Sequence, residues 1–172
     1  DTWSLAWTGL DKYDENGVRY EYRVTENDIP GGYEVINSTN TDPNATYTIQ
    51  NIRMGDLIIR KEVTGNRGET DRAFHFTVTL TGTSSAGTEA ADVDGTYAAV
   101  YTRQDGTTKQ VNISFTDGVS ATEIALKDGE KISIRLPAGL DYAVTETEDD
   151  KDGYYTSGSG QNGRITSGGT AE

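Results

Sequence analysis

The sequence predicts an all-β sandwich. No long stretch repeats its apolar residues at helical spacing. Instead, runs rich in Thr, Val, Ile and Tyr alternate apolar with polar residues, separated by turn signals at roughly ten-residue spacing. Composition agrees: of 172 residues only 33% are hydrophobic and 20 are Gly, too few apolar groups for packed helical faces. Two-layer sheets with solvated outer faces tolerate such a balance.

The elements follow in order. Trp3-Ser-Leu-Ala-Trp7 alternates, with Trp3, Leu5 and Trp7 expected in the core, and Asp14-Glu-Asn-Gly17 marks a turn. Val18 to Thr25 reads as the next strand, Tyr47 to Asn51 as a short one, and Leu57 to Val63 as another. In Phe74 to Leu80 the residues Phe74, Phe76, Val78 and Leu80 share the inward face, leaving His75 outside. Tyr97 to Tyr101, Gln110 to Phe115, Thr122 to Leu126, Lys131 to Leu136 and Tyr142 to Thr147 complete the strands. Ser84 to Asp94 is small and polar, a long exposed loop; Gly158 to Gly169 reads as a loop before a final strand.

A diverged internal repeat divides the chain. Tyr22-x-Val-Thr-Glu26 and Pro30-Gly-Gly-Tyr33 parallel Tyr142-x-Val-Thr-Glu146 and Gly153-Tyr154. The boundary falls near Arg53 to Asp56, and the chain reads as a segment of a longer tandem array.

Charge and cysteine content narrow the function. With 15 Lys plus Arg against 28 Asp plus Glu, the net charge of −13 argues against nucleic acid and anionic membranes as partners. There is no cysteine and one histidine, which excludes disulfides, thiolate metal sites and most catalytic triads. Asp11, Asp14 and Asn16 before Gly17 miss the spacing of a calcium loop, and a solvated turn is the better reading; Asp149 to Gly153 reads likewise. No cofactor or metal is expected. No apolar run is long enough to cross a bilayer.

Several charges sit on faces that should be apolar. Tyr22, Val24 and Glu26 share a face, as do Tyr142, Val144 and Glu146; Lys61 lines up with Leu57, Ile59 and Val63. An inward charge is costly unless paired or neutralised.

The first module's Leu10-Asp-Lys-Tyr-Asp-Glu-Asn-Gly17, Tyr22-x-Val-Thr-Glu26, Pro30-Gly-Gly-Tyr33 and Tyr47-Thr-Ile-Gln-Asn51 resemble the collagen-adhesin B-type (Cna_B-like) domains of Gram-positive surface proteins and pilins. Gly55 to Gly65, Phe74-x-Phe76, Leu136-Pro-Ala-Gly139 and Tyr142-x-Val-Thr-Glu146 resemble their pilin isopeptide-linker relatives. The resemblance implies tandem immunoglobulin-like β-sandwiches: residues 1–53 the C-terminal part of one, incomplete at its N-terminus, and 54–172 a second lacking its last strand. It also implies a spontaneous amide bond in each module between a first-strand lysine and a last-strand asparagine, assisted by a middle-strand acid. Lys61 is then the nucleophile and Glu146 the acid of the second module; Glu26 is the acid and Asn51 the acceptor of the first. The lysine for Asn51 would precede residue 1, and the asparagine for Lys61 would follow residue 172. Burial favours a neutral amine and a protonated carboxyl, so proton exchange, attack on the carboxamide and loss of ammonia leave a neutral product.

A plain salt bridge between Lys61 and Glu146 is the simpler alternative. Asn162 is a rival partner for Lys61, but Asn162-Gly163 reads as a turn. The function implied is a structural stalk or fibre module on the cell-wall-attached, extracellular surface of a Gram-positive bacterium, its partners the neighbouring modules. A ligand-binding adhesin module recognising a host protein or glycan is the second reading, and a secreted hydrolase a distant third.

Overall fold

A computed structural model describes residues 5–37, 49–65, 68–84, 87, 93–148 and 153–171. Among them the chain is all-β, without a helix. The strands are β1 (Tyr33–Asn37), β2 (Ile49–Arg60), β3 (Phe74–Thr81), β4 (Gly95–Thr102), β5 (Thr108–Thr116) and β6 (Val119–Ser120). After them come β7 (Ile124–Leu126), β8 (Lys131–Pro137), β9 (Asp141–Glu146), β10 (Asn162–Arg164) and β11 (Thr170–Ala171).

They pair in the order β1-β2-β8-β4-β5-β6-β3-β9-β10, with β7 on β3 and β11 on β2. Every pairing is antiparallel except β11 with β2. The sheet curls so that inward residues from distant strands meet in one core: Leu57 and Ile59 of β2, Ile134 of β8, Phe115 of β5, Val78 of β3 and Tyr142 of β9. Period-2 alternation is what lets each strand put one row of side chains there.

β2 organises the molecule. Its first half pairs with β1, Ile49 to Arg53 against Asn37 to Tyr33, and its second half, Met54 to Arg60, pairs with β8. Ile52 and Met54 are buried on either side of the junction and Leu57 and Ile59 beyond it, so the buried parity changes between Met54 and Leu57. Gly55 sits at the change and is itself buried; a Cβ there would lie 2.1 Å from the Thr166 carbonyl oxygen. Thus the two expected strands Tyr47 to Asn51 and Leu57 to Val63 are, over the described residues, one continuous strand ending at Arg60. The anticipated boundary, Arg53 to Asp56, falls inside it.

Other departures have local causes. Leu5 and Trp7, expected in the core, are exposed and lie outside any strand, since no described strand packs over them; Trp3 lies outside the described residues. Val18 to Thr25 forms no ladder beyond a Tyr13–Arg19 bridge. Its alternation survives all the same, with Tyr22, Val24 and Glu26 less exposed than their neighbours. The Asp14 turn is present: Asp14 Oδ1 accepts from the Asn16 N–H at 2.9 Å and the Val18 N–H at 2.7 Å, the bonding of an Asx turn. The span expected as an exposed loop has buried ends, Ser84 and Val93; much of its interior, like most of Asp149 to Gly153, lies outside the described residues. Asn162-Gly163 is not a turn but part of β10, Asn162 standing opposite Ala143. Near the end of the described residues β11 runs parallel to β2, with Thr170 opposite Asp56 and Ala171 opposite Leu57.

Candidate functional site at the open edge of β2

Lys61, one residue past β2, and Glu146, the last residue of β9, belong to strands far apart in the pairing order, and the curl of the sheet brings them together. Lys61 Nζ donates to Glu146 Oε1 at 3.0 Å and to Oε2 at 2.9 Å. The two side chains are only 13% and 8% exposed, so this is a desolvated pair and not a surface bridge. Each follows from strand parity: Lys61 continues the Leu57–Ile59 face, and Glu146 lies opposite Phe76 at the end of the β3–β9 ladder.

Phe74 supplies the floor. Lys61 Nζ stands 3.9 Å from its ring centroid, and the Arg72 guanidinium carbon lies 5.5 Å from the same ring. Tyr154 packs edge-on against Phe74 at 5.3 Å and also receives Arg72, at 5.1 Å. The ammonium thus has both an aromatic face and a carboxylate as partners, two attractions that strengthen as solvent is withdrawn. Sequence reasoning assigned Phe74 to the core but not to Lys61; its inward parity on β3 is the signal that could have found it.

A groove of about 580 Å³ runs from this pair along β2, lined by Leu57, Ile59, Phe76 and Val144 and walled by residues 156–161. β11 covers the β2 edge at Asp56 and Leu57; past that point no strand pairs with that edge among the described residues. Asn162 is exposed on β10, while the Lys61 ammonium is bonded to Glu146.

The other expected pair also meets. Asn51 Nδ2 donates to Glu26 Oε1 at 2.9 Å, joining the Tyr22-to-Glu26 segment to β2. This contact is exposed, unlike that of Lys61 with Glu146. Among the described residues no cluster of acids, histidine or cysteine could hold a metal ion.

His75, on the outer face as expected, is gripped on three sides. Its Nδ1 lies 2.5 Å from Glu148 Oε1, its Nε2 lies 2.8 Å from Glu123 Oε1, and its backbone N–H donates to Glu148 Oε2 at 2.8 Å.

Comparison with known proteins gives two adjoining family matches: the Cna protein B-type domain over residues 1–52, and the domain of unknown function DUF7601 over 55–172. No curated protein matches the chain. Among solved structures, the pilus-presented adhesin Spy0125 (Cpa) is similar at 28% identity and a TM-score of 0.48, over 68% of this chain and 26% of the adhesin. The major pilin from Streptococcus pyogenes is similar at 23% identity and a TM-score of 0.47, over 73% of this chain and 48% of the pilin. The Streptococcus pyogenes major pilin T3.2 gives 24%, 0.47, 76% and 48% for the same quantities. The chain therefore spans about a quarter of the adhesin and about half of each pilin. Through residues 55–172 the chain belongs to the DUF7601 family, and its first 52 residues carry the Cna protein B-type signature.

Proposed function

We propose that the chain is a structural stalk or fibre segment of a Gram-positive cell-surface adhesin or pilin, stiffened by autocatalytic Lys–Asn isopeptide bonds. Two sandwich modules, 1–53 and 54–172, make up the segment, a division supported by the adjoining family matches. Its setting is the extracellular, cell-wall-attached surface, with neighbouring modules as partners. The chemistry is a single intramolecular turnover, not enzymatic catalysis.

The observation that carries this reading is the Lys61 ammonium held by both Glu146 oxygens at the mouth of the groove beside β11. A strand continued in the parallel β11 register would run along the β2 edge that is unpaired among the described residues and would reach Lys61 a short step further on. Glu146 takes a proton from the ammonium, freeing the amine. The protonated acid then donates to the carboxamide oxygen of an incoming asparagine. Lys61 Nζ attacks the amide carbon, the bond to the side-chain nitrogen breaks, and ammonia leaves. Holding the three groups together in one pocket supplies most of the rate. The product is neutral, which removes the cost of the buried charges. In the first module Asn51 is the acceptor and Glu26 the acid.

The test is the intact mass of a longer form extended by one strand at each end. The expected result is loss of one ammonia per module, with Lys61→Ala abolishing that of the second. Full mass in the unmodified sequence overturns the reading.

A further inference from the structure

Lys61 lies one residue past β2, yet its backbone stays on the sheet. Its N–H donates to the Glu130 carbonyl at 3.0 Å, and its carbonyl accepts from the Gly129 N–H at 2.9 Å. Two residues, Gly129 and Glu130, thus oppose one. Gly129 has φ +70°, so the arrangement is a G1-type bulge, a device that bends the strand carrying it and changes the local twist of the pair, Lys61 included. An added Cβ at Gly129 would be strained at that φ and would lie 2.8 Å from Gln104 Cγ.

Further bonds hold the bulge. The Glu130 N–H donates to the Lys127 carbonyl at 3.1 Å, and the Lys127 N–H donates back to Glu130 Oε2 at 2.8 Å. Asp128 Oδ1 accepts from the Val63 N–H at 2.8 Å, tying down the chain beyond Lys61. Glu130 is one of the few buried charged residues, 8% exposed. Tyr101 hydrogen-bonds its carboxylate; burial first, and then this bond, push the phenol up to about 12. Glu130 thus faces Lys61 across the ladder, but its carboxylate is taken up by the turn and Tyr101. The Lys61 ammonium is left to Glu146.

We propose that Gly129 and Glu130 are positioning residues for Lys61: the bulge sets the backbone direction that delivers Nζ to Glu146 and Phe74, and the Glu130 carboxylate keeps the bulge closed. The proposal rests on reading Lys61 as the reacting amine, and nothing in that reading identifies what aims it. A buried carboxylate kept for backbone bonds, opposite a lysine whose ammonium goes elsewhere, is a costly arrangement for a turn that only needs to reverse the chain.

The test is acetylation of the folded chain by acetic anhydride across a pH series, read by mass spectrometry at Lys61 with exposed Lys109 as internal standard. In the unmodified chain Lys61 labels slowly. Gly129→Ala and Glu130→Ala raise its rate relative to Lys109 by about tenfold, the factor that goes with losing one charge-assisted hydrogen bond. Gly129→Asn tolerates the left-handed backbone and its Cβ meets only the exposed, movable Gln104 side chain, and Glu130→Gln keeps an acceptor; both stay within about twofold of the unmodified chain. A lower melting temperature with an unchanged Lys61 rate in the alanine variants overturns the proposal, because a merely structural turn behaves that way. Equal gains in the conservative variants overturn it as well. If Gly129→Ala does not fold, the two Glu130 variants decide. Ammonia loss in the longer form reads the cross-link separately, and it can fail while Lys61 labelling still responds to the bulge.

Discussion

His75 Nδ1 and Glu148 Oε1 stand 2.5 Å apart, while the other ring nitrogen faces Glu123 Oε1 at 2.8 Å. Carboxylates only accept, so both contacts are satisfied together by the imidazolium. The hydrogen bond to Glu148 raises His75 above its ordinary 6.5; burial opposes this, and the charges of Glu148 and Glu123 add to it. Burial pushes Glu148 up, but the backbone and side-chain hydrogen bonds of His75 outweigh it and hold the acid below 4.5.

The pH dependence follows from those signs. The His75 contribution is fully present below 6.5 and is lost as pH rises through its higher folded-state value. The Glu148 contribution is present above 4.5 and is lost as pH falls through its lower folded-state value. The clasp is therefore strongest between these limits. His75→Gln should lower the melting temperature near pH 5.5 by no more than about 2–4 °C, because a ring 37% exposed is partly screened by solvent and the clasp is worth at most roughly 1 kcal/mol, and by less at pH 8. Thermal melts of both forms across pH check this; a difference that grows with pH contradicts it.

At Lys61 and Glu146 the expected effect is larger and strongly non-additive. Removing one partner of a buried pair leaves the other charge uncompensated, so Lys61→Met or Glu146→Leu should each cost about 3–5 kcal/mol in the chain without a cross-link. The double variant replaces the pair with apolar groups over Phe74 and should recover most of that loss. Urea unfolding of the four forms gives the coupling energy. Additive losses would mean that the two groups are better solvated than their exposures of 13% and 8% imply.

Much of this site was legible because strand parity alone fixes it. Phe74 to Leu80, Lys131 to Leu136 and Tyr142 to Glu146 alternate cleanly, and the structure makes strands of all three. Glu146 and Lys61 stood out as charges on apolar faces, and those faces do converge. What stayed hidden depends on partners far along the chain. β2 reads as two strands because its buried parity changes at Gly55, where the backbone of Thr166 comes close. β1 reads from sequence only as a Pro-Gly-Gly-Tyr motif, since five residues are too few for alternation to show. The bulge opposite Lys61 depends on a pairing across the sheet, so Asp128-Gly-Glu130 reads from sequence only as a turn.

Arg135 tests how firmly β1 is tied to β8. Its Nε donates to Glu34 Oε1 at 2.9 Å, and its Nη1 lies 3.9 Å from Asp56 Oδ1. These groups are roughly one third to one half exposed, so Arg135→Ala should cost no more than about 1 kcal/mol, and less at high salt. Amide exchange in Tyr33–Asn37 should quicken while the β2–β8 ladder is unaffected. Faster exchange throughout β8 would show that Arg135 supports the core and not this one seam.

Gly55 is the position where a single added methyl should do most harm. Its Cβ would meet the Thr166 carbonyl oxygen at 2.1 Å and Ile165 Cγ2 at 2.9 Å, and a backbone atom cannot rotate out of the way. The segment it would displace is bonded on both sides of the contact: the Gly168 N–H donates to the Met54 carbonyl at 2.9 Å, and the Asp56 N–H to the Gly169 carbonyl at 3.1 Å. Ile165 is a core residue, so moving this segment also opens the interior. Gly55→Ala should therefore destabilise by about 3 kcal/mol or more, at the upper end for overpacking. Amide exchange should rise first at residues 165–171, because β11 is held to β2 through this segment. If exchange there is unchanged and the melting temperature holds, β2 and the loop are not packed as tightly as these distances imply. The start of the parallel strand on β2 would then need another anchor.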